Sequence, residues 1–207
     1  MRIFEELNSL SQDEILPIDE YFDSMELSSK EKEERKRFSR EIQDVLLFIF
    51  TLFAVMKEYQ SINKQYIISQ LQSKYSEVVL QYMELDKYIE DYIAEFSQET
   101  VDTTLKHIDE EFYLSEDRSL LISVNETNTT LNYKDYANAI KAGKTRKQWI
   151  TEKDKKVRKT HRVLDDVVIP IEDTFIVGDT LMRFPHDTLY GIDYEQLSNC
   201  RCSIKYF

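Results

Sequence analysis

Glycine and proline are almost missing. The 207-residue chain has three of each, and neither occurs between Ile18 and Ala142. That gap excludes a fold of short strands and tight turns over this stretch, and it favours helices. Cysteine is scarcer still. The two thiols, Cys200 and Cys202, rule out a disulfide framework. A bridge between residues i and i+2 is strained, so reduced thiols in a cytosol are expected. Long apolar runs are also lacking. Val45 to Met56 covers about twelve residues, is interrupted by Thr51 and is closed by Asp44 and Lys57, whereas a bilayer needs roughly twenty. A helix buried on most sides, or an oligomer contact, is expected there, and no membrane association. The first residues, Met1-Arg-Ile-Phe-Glu-Glu6, lack the apolar core of a signal peptide. Without one, the glycosylation patterns at Asn125 and Asn128 carry no meaning.

Positive charge is in deficit, 27 Lys and Arg against 39 Asp and Glu, which argues against the whole chain being a nucleic-acid binder. The deficit belongs to residues 1–142, with 15 bases and 29 acids; residues 143–207 have 12 and 10. Thirteen Tyr and eleven Phe supply enough apolar area for a real core and exclude wholesale disorder.

Ser28-Ser29-Lys-Glu-Lys32 has the form of a capped helix start, leading into the apolar run. Ile68, Leu71, Tyr75, Val78, Tyr82, Leu85, Ile89, Tyr92 and Phe96 recur at alternating steps of three and four, which predicts one heptad-patterned helix. Its seam, from Leu71 to Phe96, is either packed against the preceding helix or offered to a partner. The tyrosines of the seam fit a partner contact, because tyrosine combines area with a polar tip. Ser97 or Thr100 is expected to start a further helix. Leu120–Val124 reads as a strand, Glu126–Thr130 as a turn and Tyr133–Lys141 as a short helix ending at Gly143.

The last 65 residues hold all three glycines and two of the three prolines. Thr145–Arg162 is expected to be helical. A wheel then puts Ile150, Asp154, Val157, Arg158 and His161 on one inward face, with Asp154 and Arg158 as an i,i+4 pair. Val167–Pro170, Asp173–Val177, Thr180–Phe184 and Cys200–Phe207 read as short strands, so a helix on an antiparallel sheet is expected. The fold class is α+β, with a helical region over residues 1–115 and a small α+β domain over 116–207.

Trp149, Asp154-x3-Arg158-x2-His161-x2-Leu164-Asp165, Phe175, Pro185-x-Asp187 and Asn199-Cys-Arg-Cys202 together resemble the closing domain of phage head morphogenesis proteins, the minor capsid family typified by protein F of phage Mu. The likeness covers about residues 144–207. Two positions depart from the family's pattern. Asp166 stands where the family often has glycine, and Pro185-His186-Asp187-Thr188 replaces a frequent Pro-Gly-Asp-Pro. The resemblance implies a structural minor head protein of a tailed phage or prophage, acting in capsid assembly inside the procapsid. It implies portal or major capsid protein as partner, a place in the virion interior after assembly in the host cytoplasm, and no small-molecule substrate. Trp149, Asp154, Arg158, His161, Pro185, Asp187, Asn199 and Arg201 would form the polar core of that module.

Chemistry beyond structure has three candidates. His161, Cys200 and Cys202, with His186 as a further donor, make a set suited to structural zinc. The simpler expectation is two buried thiols and no cofactor. The ten Lys and Arg between Lys141 and Arg162 form a basic stripe for non-specific DNA contact. A nuclease-like or toxin-like enzyme acting on RNA or DNA would use His161 with Arg158 and Arg201. One histidine is little for acid–base cleavage, so no catalysis is expected.

Overall fold

The computed structural model describes residues 16–191 and 194–207; the opening segment, read above for a leader, lies outside them. The fold is α+β, with long helices followed by small antiparallel sheets. Two compact units divide the described residues: 38–123, and 16–37 together with 124–207. This division crosses helices α2 (Ser29–Glu58) and α5 (Glu116–Lys141). The small-domain module thus includes an N-terminal segment that the boundary near residue 115 leaves out.

The first unit is helical. It holds most of α2, α3 (Lys64–Val79), α4 (Lys87–Lys106), a 3-10 turn (Glu111–Leu114) and the start of α5. Short polar side chains start these helices. Asn63 accepts from the Tyr66 amide at 3.0 Å, and Asp86 from the Ile89 amide at 3.0 Å. The expected single seam helix is therefore two helices. The chain turns after Val79, and Asp86 caps a new start. Thr100 does not begin a helix; it lies buried within α4.

The seam residues are used inside this unit. Leu71, Tyr75, Val78, Ile89 and Phe96 are buried, and Tyr82, Leu85 and Tyr92 half-buried. Tyr75 meets Phe96 edge-on at 5.3 Å, and the Tyr82 hydroxyl donates to Glu41 at 2.9 Å. On α2, Phe38, Ile42, Leu46, Ile49, Phe50 and Phe53 form one buried stripe, while Phe48 and Val55 face solvent. No helix among the described residues is long and apolar enough to cross a membrane.

The second unit begins with α1 (Ile18–Asp23). Its share of α2 opens on a capping box, in which Ser28 and Glu31 exchange hydrogen bonds. α5 as a whole contradicts the expected strand, turn and short helix at 120–141, because one continuous helix runs to Lys141. The polar residues that read as a turn point inward instead. Thr127, Asn128, Thr130 and Asn132 are buried. Tertiary hydrogen bonding overrides their low helix propensity. The helix stops where glycine allows it: Gly143 has φ 71°, with the Gly143 amide on the Ile140 carbonyl and the Lys144 amide on the Ala139 carbonyl.

Next comes β1 (Arg146–Ile150), where the sequence pattern suggested a helix. It is the centre of a three-stranded antiparallel sheet, between β2 (Val168–Pro170) and β5 (Ser203–Tyr206). Gln148 pairs with Val168 and Lys205, and Trp149 with Ile204. The true period is two: Lys147 and Trp149 share the buried face. Only Lys159–Arg162, α6, is helical in the stretch that follows. β3 (Phe175–Val177) and β4 (Thr180–Met182) form a hairpin, and the four-residue α7 (Tyr194–Leu197) precedes the tail. Trp149, Phe175, Val177, Met182, Leu197, Cys200 and Cys202 make one core cluster.

Candidate functional site

The centre of the second unit is where α6 meets the tail. His161 lies in the single turn of α6 and is buried. Its Nδ1 is 3.4 Å from both Cys200 Sγ and Cys202 Sγ. Its Nε2 is 3.1 Å from Gln196 Oε1, which also accepts from the Thr160 hydroxyl at 2.7 Å. An acceptor oxygen opposite Nε2 puts the proton there and leaves a lone pair on Nδ1, facing the sulfurs. The Trp149 ring stands edge-on to His161, 5.7 Å between centroids.

Asn199 brings the thiols to this point. It adopts φ 54°, a left-handed conformation asparagine tolerates, just after α7. The Cys200 amide then bonds back to the Leu197 carbonyl at 3.0 Å. The Cys200 carbonyl is held twice, by the Tyr21 hydroxyl at 2.5 Å and by His186 Nε2 at 2.9 Å. His186 therefore serves the backbone and does not join the donor cluster; that cluster is His161, Cys200 and Cys202, whose ligating atoms all lie within 4.8 Å of one another.

The two thiols titrate as a pair. The hydrogen bond from Cys202 holds the Cys200 thiol well below its ordinary range, and His161 and His186 add to this against the cost of burial. Cys202, which gives that hydrogen bond, is pushed far up by Cys200 and by burial.

Asp154 and Arg158 do not pair, in contrast to the wheel's prediction. Without a helix between them the i,i+4 contact has no basis. Asp154 instead closes its own turn, accepting from the Lys156 and Val157 amides at 2.9 and 3.1 Å, and pairs with Arg201 at 2.5 Å. Burial opposes its ionisation, but Arg201 and the two amides outweigh this and hold the carboxyl below its ordinary value. Arg158 donates to the Ser198 carbonyl. Thus both arginines tie the turn at 154–158 to the tail.

Pro185 and Asp187 lie elsewhere in the unit. The Pro185 carbonyl accepts from Asn132 Nδ2 at 2.7 Å. Asp187 is completely buried and holds Arg183 through two hydrogen bonds, 2.7 and 2.8 Å. The motif residues thus fall into two groups, one around His161 and one around Asp187.

A polar spine that the sequence did not reveal supports both groups. Arg35 donates to Asn132 at 2.9 Å and pairs with Asp135 at 3.0 Å, and Asn128 donates to Tyr21 at 2.8 Å. Asn128, Asn132 and Asp135 recur at helical spacing on α5, a signal that is legible once the segment is read as a helix. Gln196 left no such signal.

The basic stripe is not one face. Lys147 is buried, Arg158 is engaged with the tail, and Lys153 pairs with Asp165 and Asp166. Lys141, Lys144, Arg146, Lys155, Lys156, Lys159 and Arg162 are exposed, as is the paired Lys153. His161 is not presented to a substrate, since both ring nitrogens are engaged in the interior.

Comparison with family models, curated proteins and solved structures gives no match.

Proposed function

We propose that this chain is a structural minor head protein of a tailed phage or prophage, acting in capsid assembly with the portal or major capsid protein. The observation that carries this reading is the backbone at Asp166 and His186. These are the two positions where the chain departs from glycines frequent in the minor capsid family it resembles. Both have left-handed backbone, φ 62° and φ 65°. That region favours glycine most, and among residues with a Cβ it admits Asp and His more readily than others. The turns are those a glycine would make, although neither residue is glycine.

Convergence of the shared motif adds support. Trp149, Phe175, Cys200 and Cys202 are far apart in sequence, yet they share one core. Its polar members tie loops to the tail and to α5, as in a module whose work is to hold shape.

The experiment is co-expression with portal protein, together with protein analysis of purified particles. The chain should co-purify with portal and occur inside heads, and its deletion should lower the yield of infectious particles. Its absence from particles, with normal head yield after deletion, overturns the proposal.

A further inference from the structure

Three soft or borderline donors meet at one buried point with no acidic neighbour among them. His161 Nδ1 is equidistant, at 3.4 Å, from Cys200 Sγ and Cys202 Sγ. In tetrahedral zinc, with Zn–S near 2.3 Å and Zn–N near 2.05 Å, an N···S edge is about 3.5 Å. The two N···S edges seen here, 3.4 Å each, match that figure.

The surroundings orient the imidazole as a metal needs. The hydrogen bond between His161 Nε2 and Gln196 Oε1, itself anchored by Thr160, turns the Nδ1 lone pair toward the sulfurs. Trp149 Nε1 is fully buried and lacks a hydrogen-bond partner. An indole N–H beside a metal-bound sulfur would no longer be an unmet donor. Finally, a small hollow of about 20 Å³, open to solvent, is lined by Cys200 and Cys202 together with Glu152, Asn199 and Arg201. It offers room for a water as fourth ligand.

We propose that the chain binds one zinc ion through His161 Nδ1, Cys200 Sγ and Cys202 Sγ, with solvent from this hollow completing the tetrahedron. Two reduced thiols and an imidazole without an ion leave three acceptors around at most two S–H donors. A divalent cation satisfies all three. The sulfur pair selects zinc or copper(I) over magnesium and calcium, which take oxygen ligands. The ion would clamp the tail to α6 and so close a loop of about forty residues, where a cross-link restricts the unfolded chain strongly.

The test is metal analysis of full-length protein purified under reducing conditions without chelator, followed by cobalt(II) titration of protein stripped of metal. One zinc per chain is expected, and the cobalt form should show thiolate-to-cobalt charge-transfer absorption for two sulfurs with the visible bands of tetrahedral geometry. Cys200→Ser and Cys202→Ser should each halve that charge-transfer absorption, and His161→Ala should weaken cobalt binding at least tenfold. Gln196→Leu, which touches no donor atom of the cluster except through His161 Nε2, should weaken binding several-fold without removing a sulfur band. Wild-type protein that neither carries zinc nor takes up cobalt, or a Cys200→Ser, Cys202→Ser double variant that binds as wild type does, overturns the proposal. The wild-type measurement does not depend on any variant folding.

Discussion

Single side chains in the second unit have large consequences where charge is buried. Asp187 has no exposure; the Arg183 guanidinium donates to it at 2.7 and 2.8 Å, and the Arg183 and Leu189 amides at 2.9 and 3.2 Å. Removing the guanidinium takes its ionic partner from a buried charge. Arg183→Met should cost about 3–5 kcal/mol in denaturant unfolding. Lys147 is the opposite case. Its ammonium is buried without a hydrogen-bond acceptor, over the rings of Tyr136 and Phe175 at 5.3 and 5.5 Å. Burial lowers it from 10.5 to about 8; Asp187 and Asp173 oppose the shift, and Arg183 adds to it. Between those two values the unfolded chain binds more of the proton. Stability from this group therefore rises with pH across that window and levels off above it. Lys147→Met should be more stable than the parent at pH 7 by about 1–3 kcal/mol. The gain should shrink to little by pH 10.5, as urea melts of both proteins across that range would show.

At the scale of elements, turns decide where the site falls. The β3–β4 hairpin is closed by two residues, Gly178 and Asp179, with Val177 facing Thr180. Gly178 has φ 62°, and a Cβ there would lie 3.0 Å from the Gln196 side chain. The glycine is required both by its backbone and by the residue that orients His161. Gly178→Ala should cost about 1–2 kcal/mol from the left-handed backbone alone. It should also move the His161 ring resonances in a proton–nitrogen spectrum, because Gln196 has to shift. Unchanged histidine resonances would mean that the hairpin and Gln196 are not coupled. The apolar stripe of α2 and the caps at Asn63 and Asp86 follow local rules of spacing and side-chain reach. Strand β1 does not: five residues that begin with Arg and Lys look helical until two strands pair with them.

The whole molecule is not divided where its composition changes. Residues 16–37 belong with 124–207. Tyr21 holds the carbonyl of Cys200, 179 residues away, and Arg35 binds Asn132 and Asp135. A fragment of residues 116–207, the unit that glycine and charge distribution suggest, lacks both. Its buried Asn128 and Asn132 and its half-buried Asp135 would lose Tyr21 and Arg35. That fragment should show poor amide dispersion and no cooperative melt. A single polypeptide joining 16–37 to 124–207 through a flexible linker should recover both. A well-folded 116–207 fragment would show that the N-terminal segment is dispensable.

Taken alone, the amino-acid order determined whatever depends on neighbours a few residues away. The long helices come from a stretch without glycine or proline, the start of α2 from Ser28 and Glu31, the end of α5 from Gly143, and the short strands of the last 40 residues from their alternation. The meeting of His161 with Cys200 and Cys202 was readable as a donor set but not as a geometry. Only the tertiary structure decided that 146–150 is a strand, that Asp154 pairs with Arg201, and that Asn128 and Asn132 are interior. Each of those outcomes depends on a partner between about 20 and more than 100 residues away, and local preferences of a few tenths of a kcal/mol are too small to oppose strand pairing or the burial of a charge.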